Sequence, residues 1–532
     1  MITMSTLGSH GRLGNQFFQI ASTLGIAKKL GQQLVLPPWE YAKYFEGGFP
    51  EGKIEGNVRL VQEPCFNYEP DWSHVLKHDN VDIKGYLQSH RYWENAKEEV
   101  KKLFTFNQKF KDQCWSNFFH RGSLTKDPRS DGAKPIAVSV RRGDYVNNPN
   151  YANLPLTYFI GALFERFPDW QERPVIFFSD DIPWCRVHFG CLKNVYFSEN
   201  NDPIEDICLM SMCSEFLISN STFSYWGATI ANLHNPSKVV RPNHHFAGKL
   251  FEYNDDRDLY PRQWEIYDHL DAVGQTKKIN LKDCSFHIPV FYDHADREEN
   301  LNLTLKSILN NFDTEVIVME QGGNKFEYVA SDSRITYLKF EDDKFHRTRM
   351  LNQMAAYTKK PYILNWDADV LVAPMQTWLT AEALRKGADM VYPYSGAFAR
   401  IPRKIWYEKL VHANADIGIV GTTKFSGMDL ADAVSLGGCV AWNKNRFFEL
   451  GGECETMVAY APEDVEREYR AHTLGAKIER VSGPMYHLNH WVGSTSNTSN
   501  PYYPAARTEL ERIRGLSKEE LSEEVKTWPK GS

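Results

Sequence analysis

The segment Ile136-Ala137-Val138-Ser139-Val140-Arg141-Arg142-Gly143-Asp144-Tyr145 is the most informative stretch for the fold of the first half of the chain. Its first five residues are small or β-branched, which predicts a buried strand of a parallel sheet. Two arginines, a glycine and an aspartate follow at the carboxyl end, where open α/β sheets bind their ligands. Arginine there can hold phosphate oxygens through two parallel hydrogen bonds. Taken alone, the motif favours an ordinary surface Arg–Asp pair, which contributes little to stability. The surrounding sequence must therefore decide between such a pair and a phosphate site.

Polar residues also follow two further predicted strands. A strand over residues 175–178 and another over 216–219 run directly into them, and a βαβ unit over residues 2–36 has a glycine-rich loop at 8–15. The polar residues after the two strands are Ser179, Asp180, Asp181, Asn220, Ser221 and Thr222. Because the carboxyl ends of parallel strands meet at one edge of a sheet, the pattern predicts a nucleotide-binding crevice there. The glycine-rich loop by itself is weak evidence for nucleotide binding.

Composition restricts the class of protein. The 532 residues are 42% hydrophobic, so the chain can bury large cores, and its length predicts about two to four structural units. A net charge of −7 argues against a general binder of nucleic acid or anionic membranes. No apolar run approaches the roughly 18 residues of a membrane helix, and the cysteines are odd in number and lack zinc-like CxxC pairs. We therefore expect a cytoplasmic protein without an integral membrane segment or a nucleic-acid partner.

Four ordered motifs in residues 1–270 resemble the alpha-1,2-fucosyltransferase family. They are Gly11-Arg12-Leu13-Gly14-Asn15-Gln16-Phe17-Phe18-Gln19, Val140-Arg141-Arg142-Gly143-Asp144-Tyr145, Phe178-Ser179-Asp180-Asp181 and Asn220-Ser221-Thr222-Phe223-Ser224-Tyr225-Trp226-Gly227. The resemblance implies a GT-B-like pair of Rossmann subdomains and a metal-independent, inverting transfer of fucose from GDP-fucose to a terminal galactose. The chain departs from the family at Ser139, where histidine is usual, and at Tyr225, where tryptophan is usual.

The same resemblance implies a set of residues that bind GDP-fucose. They are Gly14, Asn15, Gln16, Arg141, Arg142, Asp144, Ser179, Asp180, Asp181, Asn220, Ser221 and Thr222. In a reaction without a metal, arginine must neutralise the leaving diphosphate, and we assign this catalytic role to Arg141 or Arg142. Asp144 is a candidate for the catalytic base and equally for a structural partner of a neighbouring arginine, so the base is left unassigned.

A second α/β pattern follows a predicted linker over residues 271–283. It covers residues 284–505 and ends in a charged helical tail over 506–532. A predicted strand over 361–366 leads into Asp367-Ala368-Asp369. If the chain is extended there, the two carboxylates point the same way, and their oxygens suit Mg²⁺ or Mn²⁺. Asp-x-Asp sequences are also common in turns, so the context decides again.

Three later motifs resemble inverting GT-A glycosyltransferases, particularly galactosyl- and N-acetylhexosaminyltransferases. They are Gly437-Gly438-Cys439-Val440-Ala441-Trp442, Pro462-Glu463-Asp464-Val465-Glu466 and Met485-Tyr486-His487-Leu488-Asn489-His490. The resemblance implies a UDP-sugar donor and a metal held by Asp367, Asp369 and His487, in preference to His490. It implies donor contacts from Glu320, Arg349, Asn352 and Asp367, and acceptor contacts from Trp442, Glu463 and Asp464, with Asp464 as the catalytic base. An ordinary solvated first helical turn would also favour Glu463 and Asp464.

The expected fold class is α/β: an N-terminal GT-B-like double Rossmann unit followed by a C-terminal GT-A-like α/β domain. The combination resembles the bifunctional galactosyl/fucosyltransferases of the protist cytoplasm, although their galactosyltransferase half comes first. This implies that the C-terminal domain adds galactose from UDP-galactose with Mn²⁺ or Mg²⁺, and that the N-terminal domain caps it with alpha-1,2-linked fucose. The implied acceptor is a glycan or glycoprotein, in that family the glycan of a ubiquitin-ligase adaptor. The alternatives are a bacterial or viral surface-glycan transferase with another UDP-sugar, and a catalytically weak glycan-binding scaffold.

Overall fold

The structure is a computed structural model that describes residues 1–77, 80–122, 127, 132–426, 434–493 and 497–531. The chain forms two compact units. The first unit comprises Met1–Cys185 and Asn194–Lys277, and the second unit comprises Arg186–Lys193 and Lys278–Ser532. Both contain helices and largely parallel sheets, so the predicted α/β class is confirmed.

The first unit contains two parallel sheets. Its strands are β1 (Ile2–Thr3), β2 (Arg59–Gln62), β3 (Val81–Lys84), β4 (Ile136–Val140), β5 (Val175–Ser179), β6 (Val195–Phe197), β7 (Glu215–Leu217), β8 (Val239–Arg241) and β9 (Glu265–Ile266). The small sheet has the order β1-β3-β2, and the large sheet has the order β6-β5-β4-β7-β8-β9. β4 has the predicted bounds, and all its residues are buried because it lies near the middle of the large sheet.

The helices of this part of the chain alternate with its strands. They are α1 (Leu13–Lys29), α2 (Lys97–Leu103), α3 (Gln108–Arg121), α4 (Leu156–Arg166), α5 (Ile182–Phe189), α6 (Pro203–Ser211), α7 (Thr222–His234) and α8 (Gly248–Tyr253). α6 begins after Asp202, a residue type that favours helix starts, and Asp202 and Glu205 form a reciprocal capping box that satisfies two backbone N–H groups.

Aromatic residues join α1 to α7 in the core of the first unit. Phe17 stacks on Trp226 with ring centroids 5.5 Å apart, and Phe18 contacts Tyr225 at 4.5 Å. All four rings are fully buried, so the pair of helices is held by a large apolar area. This packing fixes the start of α1 against the start of α7, and both helix starts carry predicted donor residues.

The second unit is built on one large sheet and one small sheet. Its strands are β10 (Ile279–Phe291), β11 (Phe312–Gln321), β12 (Ile335–Phe340), β13 (Tyr362–Trp366), β14 (Val370–Leu371), β15 (Met390–Tyr392), β16 (Phe398–Ile401), β17 (Cys439–Asn443), β18 (Ile478–Arg480) and β19 (Met485–Leu488). The large sheet has the order β12-β11-β10-β13-β17-β15-β18, and β17 is antiparallel to both neighbours. The small sheet has the order β14-β19-β16, so the strand after Asp369 pairs with the strand that contains His487.

Helices follow and separate the strands of the second unit. They are α9 (Ala295–Asn311), α10 (Arg347–Tyr357), α11 (Pro374–Arg385), α12 (Arg403–His412), α13 (Lys444–Glu449), α14 (Glu463–Thr473), α15 (Tyr503–Arg514) and α16 (Lys518–Glu524). The predicted charged tail forms α15 and α16, whose apolar side chains Leu510, Ile513 and Leu521 pack against Cys454 and Met457. None of the helices in the described residues is both long enough and apolar enough to cross a membrane.

Two boundaries differ from the sequence-based expectation. β1 ends at Thr3, well before the predicted loop at residues 8–15, because the chain turns at Ser5, which donates two hydrogen bonds to Asp82. β10 begins at Ile279, inside the segment predicted as a linker, because its first residues pair with the start of β11. Both differences arise from pairings between residues far apart in the sequence.

We expect Gly25→Ala to destabilise the first unit, because a Cβ at this position of α1 would overlap the backbone carbonyl of Tyr92. Overpacking against backbone costs about 1–3 kcal/mol of unfolding free energy. Gly48→Ala is the matched control, since nothing lies within 4 Å of its added Cβ. Urea unfolding followed by tryptophan fluorescence compares the variants, and equal stability of the two would contradict the packing described here.

Candidate active sites

Strand ends bring the predicted donor residues of the first unit to one sheet edge. β4 lies between β5 and β7, and both pairings are parallel. The polar segments that begin at Arg141, Ser179 and Ser219 therefore share this edge. The chain continues from β4 to β5 on one side and later to β7 on the other, so the edge between β4 and β7 is a topological switch point, where α/β sheets bind ligands. The predicted meeting of the strand ends is confirmed.

Arg141 lies between two carboxylates at this edge. Its guanidinium forms an ion pair with Asp144 and another with Asp180, over 2.7 Å. The same guanidinium lies over the ring of Tyr145, 5.2 Å from its centroid. The side chain is 17% exposed, so part of its donor capacity faces solvent. Arg141 is therefore oriented in advance and still accessible to a ligand.

Arg142 is held more deeply than Arg141. Its Nε lies 3.1 Å from Asp181, its guanidinium lies 4.2 Å from the ring centroid of Trp184, and its backbone N–H donates to Asp180. The residue is 9% exposed. The two arginines therefore have different partners: Arg142 contacts Asp181 and Trp184, and Arg141, whose side chain is 17% exposed against 10% for Arg142, contacts Asp144 and Asp180.

Asp144 links the strand end to the glycine-rich loop. One of its oxygens pairs with Arg141, and the other lies 2.7 Å from Nη2 of Arg12. Partial burial would raise the pKa of Asp144, but the two arginines outweigh it and hold that pKa below its usual value. A carboxylate with a lowered pKa is a weak proton acceptor, so the geometry favours the structural role that the sequence left open for Asp144.

The first turn of α1, which includes the end of the predicted glycine-rich loop, contacts the start of α7. Asn15 accepts hydrogen bonds from Thr222 and from Gln88, both at 2.9 Å. A Cβ on Gly14 would lie 2.5 Å from the backbone nitrogen of Phe223, so only glycine permits this approach. Three predicted donor residues, Gly14, Asn15 and Thr222, are thus brought together.

Other predicted donor residues have structural partners. Gln16 is buried, accepts from Trp39 and donates to the carbonyl of Gly11. Asn220 is also buried, and its amide donates to the carbonyls of Ala152 and His245, which hold two loops together.

Two serines near this edge act as local caps. Ser221 caps α7 by accepting from the backbone N–H of Phe223, and Ser179 accepts from that of Asp181. These caps shape the backbone around the crevice, so any donor contact from the serines would be additional to them.

In the second unit, Asp369 lies beside two histidines. One of its oxygens is 3.5 Å from Nε2 of His487, and the other is 3.1 Å from Nε2 of His490 and 3.0 Å from Arg297. Burial would raise the pKa of Asp369, but the histidines and Arg297 outweigh it and lower that pKa. One ligand atom from each of Asp369, His487 and His490 lies within 4.8 Å of the others, a spacing that could hold a metal ion.

Asp367 has a different partner, which corrects the expectation of two parallel carboxylates. Both Nε and Nη2 of Arg347 approach its Oδ1, at 3.1 and 2.7 Å. The segment is a turn rather than an extended strand, since the N–H of Val370 donates to the carbonyl of Asp367. The side chains of Asp367 and Asp369 therefore have separate partners, and His490 joins the cluster in which sequence expected Asp367.

Arg347 also connects Asp367 to the predicted acceptor residues. Its Nη1 lies 3.7 Å from Glu463. Burial and the neighbouring Asp464 raise the pKa of Glu463 to about 8. Asp464 in turn pairs with Arg467 and lies against Gly437, where a Cβ would be 2.5 Å from its second oxygen. The Asp-x-Asp turn and the Glu463–Asp464 pair thus lie in one charged network.

Two predicted donor contacts are occupied by internal bonds. Both oxygens of Glu320 accept backbone N–H groups, from Lys325 and Phe326, and one also accepts from Tyr337. Asn352 is fully buried and clamps the backbone of Glu453 from both sides. Both residues thus have structural hydrogen bonds, and their contacts with a nucleotide stay predictions.

Trp442 and Arg349 differ in their exposure. Trp442 is fully buried in β17 and packs on Phe447, and its contact with an acceptor stays a prediction. Arg349 is 39% exposed and pairs with Asp342 at 3.2 Å. The guanidinium of Arg349 is therefore accessible to a ligand.

Three arginines without a predicted role, Arg12, Arg297 and Arg347, pair with site carboxylates, and His490 lies closer to Asp369 than the preferred His487 does. The signal for Arg12 was its place inside the glycine-rich motif, and the signal for Arg347 was its position two residues before Arg349. Residues two apart on a helix point in different directions, so only one of that pair could face Asp367. No local signal distinguishes His490, because its proximity to Asp369 depends on the tertiary fold.

Comparisons with known proteins concern the first unit. Residues 1–267 match the family model described as Glycosyl transferase family 11. The O-antigen biosynthesis glycosyltransferase WbnK of Escherichia coli is 33% identical, over 45% of this chain and 93% of that protein. Galactoside 2-alpha-L-fucosyltransferase SEC1 of Bos taurus is 27% identical, over 42% of this chain and 64% of its own length. The alpha-1,2-colitosyltransferase of Escherichia coli is also 27% identical, over 42% of this chain and 86% of its own length. The matched segment covers half of the 532 residues and includes the glycine-rich loop and Arg141. The chain therefore belongs to glycosyl transferase family 11.

Proposed function

We propose that the first unit transfers fucose from GDP-fucose to the 2-hydroxyl of a terminal galactose, with inversion and without a metal. The observation that carries this proposal is the partly exposed guanidinium of Arg141 at the switch point of a parallel sheet. The family membership and the name of the bovine fucosyltransferase support both the donor and the linkage. The colitosyltransferase favours a second candidate donor, GDP-colitose, which a donor assay separates from GDP-fucose.

In this reaction Arg141 stabilises the leaving diphosphate. Its charge is fixed in place by Asp144 and Asp180 before the donor arrives, so little reorganisation is needed as negative charge develops. The N-terminal end of α7, beside Ser221 and Thr222, carries the positive end of the helix dipole, which suits an anion. Arg142 keeps the strand end in position.

We also propose that the second unit is a GT-A-like domain that transfers a hexose, galactose from UDP-galactose, to a glycan acceptor. The supporting observation is that the Asp-x-Asp turn, the late histidines and the Glu463–Asp464 pair converge next to the end of β13. Donor residues at the carboxyl end of a central strand are typical of nucleotide-binding α/β sheets.

The nine cysteines carry free thiols, which supports a cytoplasmic location.

Three side chains around Asp369 offer ligand atoms for a divalent cation, which would take the place of Nη1 of Arg297, 3.0 Å from Asp369 and 3.1 Å from Nε2 of His490. One carboxylate and two imidazoles suit Mn²⁺, and they suit Mg²⁺ less well because magnesium prefers oxygen ligands. Asp369, His487 and His490 would hold the ion, which when bound would neutralise charge on a UDP leaving group. Arg347 orients Asp367 beside it.

Asp464 is the proposed proton acceptor of the second unit. The pKa of Glu463 is raised to about 8, so Glu463 is largely protonated at neutral pH and donates a hydrogen bond more readily than it accepts a proton. Asp464 is held by Arg467 through one oxygen, which leaves the other to meet an acceptor hydroxyl.

We expect Arg141→Ala to lower kcat/KM for fucosyl transfer about a hundredfold or more, because one preorganised charge contact to the transition state is lost. Arg141→Lys should recover only part of this loss, since lysine lacks the fork geometry. The control is Arg173→Ala, an ion-paired arginine just before β5, at the opposite edge of the same sheet. Near-normal transfer by Arg141→Ala would place the phosphate site elsewhere.

Metal removal should separate the two activities. EDTA and Asp369→Ala should each abolish hexose transfer from UDP-galactose while fucosylation of a supplied galactoside continues, because the candidate ion site lies among residues of the second unit. Electron paramagnetic resonance of added Mn²⁺ should show binding by the unmodified protein and weaker binding by Asp369→Ala. Loss of both transfers on adding EDTA would contradict the metal-independent assignment of the first unit.

The two donors should act in a fixed order on an acceptor that lacks galactose. With UDP-galactose alone the protein should add one hexose, and with GDP-fucose alone it should add nothing, because the 2-hydroxyl of galactose is not yet present. With both donors it should add hexose and then deoxyhexose, which mass spectrometry of the products detects. Fucose on the starting acceptor before any hexose would show that the two units serve independent acceptors.

A further inference from the structure

The inward face of α14 is charged rather than apolar. Glu463, Glu466, Arg467 and Arg470 are at most 8% exposed, and Ala471 is the remaining buried residue of the helix. Removing charges from water costs several kcal/mol for each ion unless each is paired and hydrogen-bonded. Apolar side chains would fill this face without that desolvation cost. The hydrogen-bond partner of each charged residue therefore indicates its role.

Arg470 and Glu466 form a self-contained structural pair. Nε and Nη2 of Arg470 bond the two oxygens of Glu466, at 2.7 and 3.2 Å. The remaining donors of Arg470 bond the carbonyls of Leu450 and Gly452, which follow α13. This pair joins α14 to the turn after α13, and its contacts stay away from Asp464.

Arg467 makes a different connection, because it joins a buried carboxylate to a partly exposed one. Its Nη1 lies 3.3 and 3.2 Å from the two oxygens of Glu453, which is fully buried. Its Nη2 pairs with Oδ1 of Asp464 and also donates to the carbonyl of Leu436. The second oxygen of Asp464 lies against Gly437, where a Cβ would be 2.5 Å away. Arg467 thus holds Oδ1 of Asp464, and Oδ2 faces the space that a side chain at Gly437 would fill.

Glu453 is itself held by two amide side chains. Asn352 accepts from the backbone N–H of Glu453 at 2.8 Å and donates to its carbonyl at 2.9 Å. Asn365 of β13 donates to its carboxylate at 3.3 Å. The chain of contacts therefore runs from buried amides through Glu453 and Arg467 to Asp464.

We propose that Arg467, anchored by Glu453, is the positioning residue for Asp464: it fixes one carboxylate oxygen so that the other can take the proton of the acceptor hydroxyl. This inference rests on the proposed hexosyl transfer by the second unit. It assigns a purpose to a buried ion pair that would otherwise only cost desolvation. A carboxylate misplaced by about 1 Å loses on the order of a hundredfold in rate, which sets the scale of the effect.

The test replaces the whole ion pair rather than one partner. Glu453→Gln with Arg467→Met removes both fully buried charges at similar volume, so the charge that loses its partner is that of Asp464, which is partly exposed. We expect circular dichroism, Mn²⁺ binding and UDP binding to stay near those of the unmodified protein. We expect kcat for hexosyl transfer to fall about ten- to a hundredfold, while KM for the donor changes by less than about threefold.

The matched control is Glu466→Gln with Arg470→Met, which removes the equivalent ion pair one turn further along the same helix. Both double variants lose one buried ion pair of α14, but only the first touches Asp464. The control should keep kcat within about threefold of the unmodified protein. A similar fall in kcat for both would mean that any lost charge pair on this helix impairs the unit, and the positioning role would be wrong.

A double-mutant cycle with Asp464→Asn identifies the route of the effect. If Arg467 acts through Asp464, adding Glu453→Gln and Arg467→Met to Asp464→Asn should lower the residual rate no further. A full additional loss would show action through another group and overturn the proposal. If the unmodified protein transfers no hexose from any UDP-sugar, the proposed function of the second unit fails and the inference with it. If it transfers hexose and the first double variant is fully active, the inference alone is overturned.

Discussion

Ion pairs at the carboxyl ends of parallel strands are the interactions on which both candidate sites depend. Parallel strands place their ends at one edge, so charged residues that follow neighbouring strands are brought together and must neutralise one another. Arg141 lies between Asp144 and Asp180, and Asp369 lies beside Arg297 and the two histidines. A charge buried at such a position without a partner would cost several kcal/mol of desolvation free energy, by an order-of-magnitude estimate. The pairing holds each group ready for a ligand of opposite charge.

Buried amides supply the rigidity that these charged groups need. Asn220 joins two loops beside the first site, and Asn352 clamps the segment that anchors Arg467 in the second unit. The family resemblances imply that both residues bind a nucleotide. The structure shows that they are buried and bonded to the backbone that presents other groups. The reactive side chains owe their orientation to this support.

The sequence predicted the architecture of the first unit well, because the relevant signals are local. The bounds of β4, the cap of α6 and the polar residues after β5 and β7 follow from residues close together in the chain. The family also follows from short ordered motifs. The start of β10 and the end of β1 were placed less well, since both depend on partners distant in sequence. Extended pairing between such partners has no signature in either segment alone.

The sequence by itself determined the α/β class, the strand ends that meet at Arg141 and the membership of glycosyl transferase family 11. Only the tertiary structure separated Arg141 from Arg142, grouped His490 with Asp369 and linked Asp464 to Glu453 through Arg467. The physical reason is that residue type and spacing define which chemistry a segment can offer. Burial and the nearest opposite charge decide which of those groups is accessible, and both depend on segments far apart in the chain.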